Sequence, residues 1–154
     1  MNTSYSYQNS LSLLYDNKWS KLNLQTKVAV MQSIENEIAR RENRSPCNVS
    51  LFSEPPQQTG IIAQGQYNRM KDIIELNSYY LKDAGVIGCL MTILHEGRHA
   101  YQSKAVYGEI YHHNQAEVIE WRSDIAREAD AENYTNMATM QIIIEQRMQN
   151  STNN

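Results

Sequence analysis

The chain has 154 residues, the length of one domain, and its 41% hydrophobic and 20% charged residues allow a packed core and exclude global disorder. A net charge of −3 argues against a nucleic-acid or anionic-membrane surface. Two cysteines, Cys47 and Cys89, make no disulfide framework and read as reduced, buried thiols, and no stretch is long and apolar enough to span a bilayer.

In chain order, the opening MNTSYSYQNS lacks the charged start and apolar stretch of a secretory signal. A cytoplasmic location, or export by a route that needs no signal peptide, is therefore expected. Residues 1–9 and 150–154 are polar and aperiodic and are expected to be disordered, leaving 10–149 as one domain. From Asn23 to Arg41, Leu24, Val28, Met31, Ile34 and Ile38 recur at helical steps, with Asn23 as N-cap. RENRSP ends that helix, because Pro46 disfavours helix in the residue before it. Cys47 to Ser53 alternates and predicts a strand. EPPQQTG is a turn, Gly60 to Tyr67 a second strand paired with the first as a hairpin, and Asp72 to Asn77 a third. From Gly85 a long helix is predicted, ending near Gly108. EIYHHN is a loop, and Asn114 opens a second long helical run to the end of the domain. The fold class is thus α+β: an N-terminal helix, a small three-stranded sheet, an active-site helix and a long C-terminal helix.

The helix from Gly85 carries ILHEGRHAYQ, Ile93 to Gln102. Residues four apart share a helix face, so His95 and His99 direct both imidazoles at one point. Neutral imidazoles at that spacing suit a divalent metal, zinc above all, at one ion per chain. Glu96 is offset from His95 by about 100° around the axis and lies beside the metal. From there a carboxylate can act as general base toward a water held by the metal. The apolar run Val86 to Leu94 marks a buried helix, where two histidines and a glutamate need partners.

A third ligand must come from elsewhere. If the next helix packs back antiparallel from Asn114, Glu120 comes level with His99 and Asp124 level with His95. Glu120 would then be the third ligand and Asp124 would accept the other ring N–H of His95. Glu117 and Glu128 lie on the same helix face and remain alternatives. Arg98 and Gln102 read as packing or salt-bridging residues, with substrate contact as the second reading. Tyr107, Tyr111, His112 and His113, on the connecting loop, include candidates for an oxyanion donor. Trp121, Met137, Met140 and Ile144 read as core or dimer surface.

His95-Glu96-Gly97-Arg98-His99 followed by Glu120 and Asp124 resembles the gluzincin branch of the zincin metallopeptidases. A second resemblance is to small HExRHAYQ metallopeptidase-like domains of bacterial polymorphic toxins and effectors. It extends to Trp19, to Ile74–Asn77 before the active helix, and to the element Glu128-Ala-Asp130-Ala131. These resemblances imply a minimal zincin-like fold and a zinc-dependent hydrolase. The substrate would be a protein or peptide, and a cognate inhibitor or immunity protein a partner. The alternative function is a non-catalytic binding module on the same fold, since the chain is small for a peptidase.

Overall fold

The computed structural model describes residues 4–153, and the elements run in an α+β order. Two short helices, α1 (Tyr7–Leu11) and α2 (Asp16–Trp19), precede α3 (Leu24–Arg41). The strands are β1 (Asn48–Phe52), β2 (Gly65–Asn68) and β3 (Ile73–Asn77). Four helices follow: α4 (Ser78–Asp83), α5 (Val86–Val106), α6 (Gln115–Glu120) and α7 (Asp124–Thr152). Among the described residues no helix is long and apolar enough to cross a membrane. Of the two ends expected to be disordered, residues 1–3 and 154 lie outside the described residues. The rest is largely helical: α1 begins at Tyr7, and α7 continues to Thr152.

Helix α3 starts where its capping residue predicts, with the Asn23 side chain accepting from the Thr26 amide at 2.8 Å. It stops before Pro46 can act. Asn43 adopts a left-handed conformation (φ 53°), and the Arg44 amide closes back on the Ala39 carbonyl at 3.0 Å. Val30, Met31, Ile34 and Ile38 face the core together with Leu90, Ile93 and Leu94 of α5.

The sheet order is β1-β3-β2, with β1 parallel and β2 antiparallel to β3. The expected hairpin between the first two strands is therefore corrected: the hairpin joins β2 to β3. Burial is the reason. Ile74, Leu76 and Asn77 of β3 are buried, so the most apolar strand takes the centre and leaves the edges to its more polar neighbours. The Asn77 side chain ties both ends of the long connection from β1 to β2. Asn77 donates to the carbonyls of Glu54 and Ala63, both at 2.8 Å, and accepts from the Glu54 amide.

Strand β2 lies close against α5. A Cβ at Gly65 would stand 2.9 Å from the Thr92 methyl and 3.1 Å from the Glu75 carbonyl, so only glycine admits this approach. Helix α5 ends as expected, with Gly108 in the left-handed region (φ 73°). The single long helix expected from Asn114 is instead two, broken between Glu120 and Asp124. Trp121 causes the break. Its ring is 1% exposed and packs with Ala105 and Val118, and the Arg127 guanidinium donates to the Trp121 carbonyl at 2.7 Å, satisfying the end of α6. Trp121 is thus core, while Met137, Met140 and Ile144 lie exposed on α7 and are not core of this chain.

Candidate metal centre and cleft

His95 and His99 project from α5 toward the first turns of α7, and Glu128 meets them there. The two Nε2 atoms are 3.1 Å apart, Glu128 Oε2 lies 3.2 Å from His95 Nε2, and Glu128 Oε1 lies 2.9 Å from His99 Nε2. Among the described residues this is the group of three whose ligand atoms converge within 4.8 Å, so it could hold a metal ion. Glu120 does not reach the histidines. The break at Trp121 leaves it exposed at the end of α6, and α7 starts afresh with a different phase. Glu117 instead meets His112 Nε2 at 3.3 Å. Asp124 is exposed and paired with Arg127, so it does not back His95. Neither Glu120 nor Asp124 takes its expected place, because the helix is not continuous between Glu120 and Asp124.

The tautomer of His99 tests the donor set. Gln102 is fully buried, and its Nε2 donates to the Arg127 carbonyl at 2.9 Å and to Asp130 Oδ2 at 2.7 Å. Both partners are acceptors, so the amide nitrogen must face them and Oε1 must face His99 Nδ1, 2.9 Å away. His99 Nδ1 therefore carries the proton, and Nε2 presents a lone pair toward His95 and Glu128. That lone pair, beside the Glu128 carboxylate, calls for a positive partner: a metal ion, or a proton on His95 Nε2 3.1 Å away. Two imidazoles and a carboxylate make a suitable set for zinc.

Asp130 is held in turn. Burial alone would raise its carboxyl, but the Arg98 guanidinium at 2.8 Å and the Gln102 amide keep it below the usual range. Arg98 stacks over Tyr101, Trp121 and Tyr134 and lies 3.6 Å from Glu42, so it packs and braces and does not line the cleft. Of the sequence-level readings, the Glu128-Ala-Asp130-Ala131 element carried this information. Gln102 stood there only as a packing or substrate residue.

Glu96 sits beside the trio. Burial pushes its carboxyl up, while His99, His95 and a hydrogen bond from the Tyr67 backbone pull it down. The net direction is up, and a divalent cation on the histidines would oppose it. Two hollows meet at Glu96. One, of about 290 Å³, is lined by Gln64, Met91, Thr92, His95 and Glu132 among others. The other, of about 490 Å³, adjoins Tyr67, His99, Tyr107 and Glu128. Together they form a cleft along α5 between β2 and α7. Arg69, Arg122 and Arg127 also line the larger hollow, which sequence reasoning missed, because they come from three places: the β2–β3 turn, the α6–α7 break and the first turn of α7. Of the four loop residues considered as oxyanion donors, Tyr107 alone lines it. His112 is buried, with Nδ1 2.7 Å from the Tyr101 hydroxyl, and Tyr111 is exposed outside the lining.

No family model, curated protein or solved structure matches this chain. The arrangement stands on its own geometry: two histidines one helical turn apart, a glutamate from a second helix, and a carboxylate beside them in an open cleft.

Proposed function

We propose that this protein is a zinc-dependent metallopeptidase, with His95, His99 and Glu128 holding one metal ion and Glu96 acting as general base. The carrying observation is the convergence of His95 Nε2, His99 Nε2 and the Glu128 carboxylate at 2.9–3.2 Å. When bound, zinc supplies Lewis acidity, making a water more acidic and a carbonyl more electrophilic. Glu96 takes the proton of the attacking water and passes it to the leaving amine. Gln102 keeps His99 in the tautomer whose Nε2 is free to ligate. The outer side of the edge strand β2, between the two hollows, offers an extended peptide a strand to pair with. The resemblance to toxin and effector domains supports the same reading and adds a cellular setting.

The test is elemental analysis of protein purified without chelators, together with a peptidase assay of wild type and Glu96→Gln. Close to one zinc per chain is expected in both. Hydrolysis should fall by roughly 10²–10⁴-fold in the variant, the usual cost of losing a general base. Absence of any transition metal defeats the proposal. Zinc lost from Glu96→Gln would make Glu96 a ligand and reassign the mechanism. Zinc-loaded wild type that cleaves no peptide in a diverse library would leave the non-catalytic module.

A further inference from the structure

We infer that the cleft selects a peptide bearing carboxylate groups, and that Arg69 and Arg122 are the residues that read them. This rests on the peptidase reading of the cleft and names its substrate class.

Eight arginines occur in the chain. Arg40, Arg41, Arg44, Arg98 and Arg127 are each paired with a carboxylate. Among the described residues Arg69, Arg122 and Arg147 are not, and the first two line the larger hollow. Arg69 comes from the turn after β2 and Arg122 from the break between α6 and α7, so two separate segments deliver an unpaired guanidinium to one cleft. In a chain of net charge −3, where acids are in excess, such pairing should be easy to find.

The charges facing the cleft do not cancel these two. Glu96 and Glu128 are the acids lining the larger hollow, and a divalent metal on the histidines would balance both, while Glu132 lines the smaller hollow. Arg127 is balanced by Asp124. The nearest acids in sequence are Asp72 to Arg69, and Glu120 and Asp124 to Arg122. Asp72 is engaged by Lys104 at 2.9 Å and Tyr67 at 2.8 Å, Asp124 is paired with Arg127, and none of the three is in the lining. The excess charge of the larger hollow, with a metal bound, is therefore that of Arg69 and Arg122.

Arg69 is also oriented for the task. Its guanidinium carbon lies 3.4 Å from the Tyr107 ring centroid. Stacking uses the guanidinium face and leaves its N–H edges free, the geometry that a carboxylate meets with two parallel hydrogen bonds. A carboxylate can come from acidic side chains or from a peptide C-terminus. The chemistry is the same, and the two sources separate experimentally.

The test uses zinc-loaded Glu96→Gln protein, so that binding is read without turnover. Three fluorescent octapeptides of one framework serve as probes: glutamates with an amidated end, glutamines with a free carboxylate end, and glutamines with an amidated end. Anisotropy titration should show at least one carboxylate peptide binding about tenfold or more tightly than the neutral one, with the gap narrowing at high salt. Adding Arg69→Gln or Arg122→Gln should each reduce that preference by about 3–10-fold, and both together should abolish it. Both side chains are exposed, and zinc content with circular dichroism checks that the variants stay folded and loaded. Equal affinities for all three peptides overturn the inference. So does a preference that survives both arginine substitutions, because the carboxylate then binds the metal. Hydrolysis by wild type that is indifferent to peptide charge overturns it too and leaves the peptidase reading standing. Arginine-dependent preference without hydrolysis by wild type supports the inference and defeats the peptidase reading.

Discussion

Glu120 and Glu128 carry the same group on one predicted helix face, and a single turn decides which reaches the histidines. Glu128→Ala should lose metal by more than the roughly 10–100-fold that removal of an outer partner costs. Glu120→Ala and Asp124→Ala should retain it. Competition with a chromogenic chelator measures all three, and a Glu120 effect larger than that of Glu128 would reverse the assignment. Gln102 acts one step out. Gln102→Leu should weaken metal retention by about 10–100-fold, because nothing then holds the proton on His99 Nδ1. Nitrogen chemical shifts of the His99 ring in metal-free protein report this directly: the Nδ1-protonated form should dominate in wild type and not in the variant. The pair His95 and His99 was legible because its spacing is local to one helix. Glu128 was legible only as an alternative, supported by the Glu-x-Asp-Ala resemblance. The role of Gln102 depends on Asp130 and the Arg127 carbonyl, both delivered by α7, and no local pattern exposes such a contact.

Helix α5 is placed by close approaches on two sides, and the motif residues serve these as well as chemistry. Gly97, between the metal-site residues, faces the buried pair Glu35–Arg44, whose two hydrogen bonds are each 2.8 Å. A Cβ there would stand 3.0 Å from Glu35 Oε1 and 3.4 Å from Arg44 Nη2. Alanine gains up to about 1 kcal/mol in helix propensity, but it crowds an ion pair that has no solvent to move into. Gly97→Ala should therefore destabilise, by about 1–3 kcal/mol as overpacking does, read from the denaturant midpoint. A stabilised variant would show that the pair yields freely. On the other side, Asp72 (φ 52°) fastens the β2–β3 turn to α5 through Lys104 at 2.9 Å. Burial alone would raise its carboxyl, but Lys104 and Tyr67 hold it below its ordinary value. A depressed carboxyl contributes stability above its unfolded value and loses it as pH falls through the folded one. Acid unfolding of wild type below about pH 4 should thus be blunted in Asp72→Asn, which should already be less stable at neutral pH. The helix ends at Asn23 and Gly108 were readable from capping chemistry. The sheet order was not, because it follows from which strand is most buried after α3 and α5 have packed.

At the scale of the whole molecule, a metal ion held by His95, His99 and Glu128 would clamp α5 to α7. The C-terminal part of α7 has firm anchors: Ile142 is buried in the main core, Gln146 donates to the carbonyls of Leu11 and Leu14, and Glu145 pairs with Arg41. The N-terminal part is held through α5, with Gln102 donating to the Arg127 carbonyl and to Asp130. Ala131 and Thr135 are buried, Asp130 is braced by Arg98, and Glu128, 62% exposed, spans to the histidines. A metal bound there would add a further link between α5 and the first turns of α7, at one wall of the cleft. Its removal should leave the α3–sheet–α5 core intact and loosen the wall. Binding to the folded state alone stabilises by RT ln(1 + [L]/Kd), about 4 kcal/mol when free metal exceeds Kd a thousandfold, so chelation should lower the melting temperature. The loss should also be local. Amide exchange should speed up across residues 124–135 and stay protected across 139–148, since opening energies differ between segments of one helix. His95→Ala should melt at the chelated temperature and not respond to chelator. Uniform loosening of all of α7, or no response in wild type, would mean that the trio does not hold a metal that bridges the two helices.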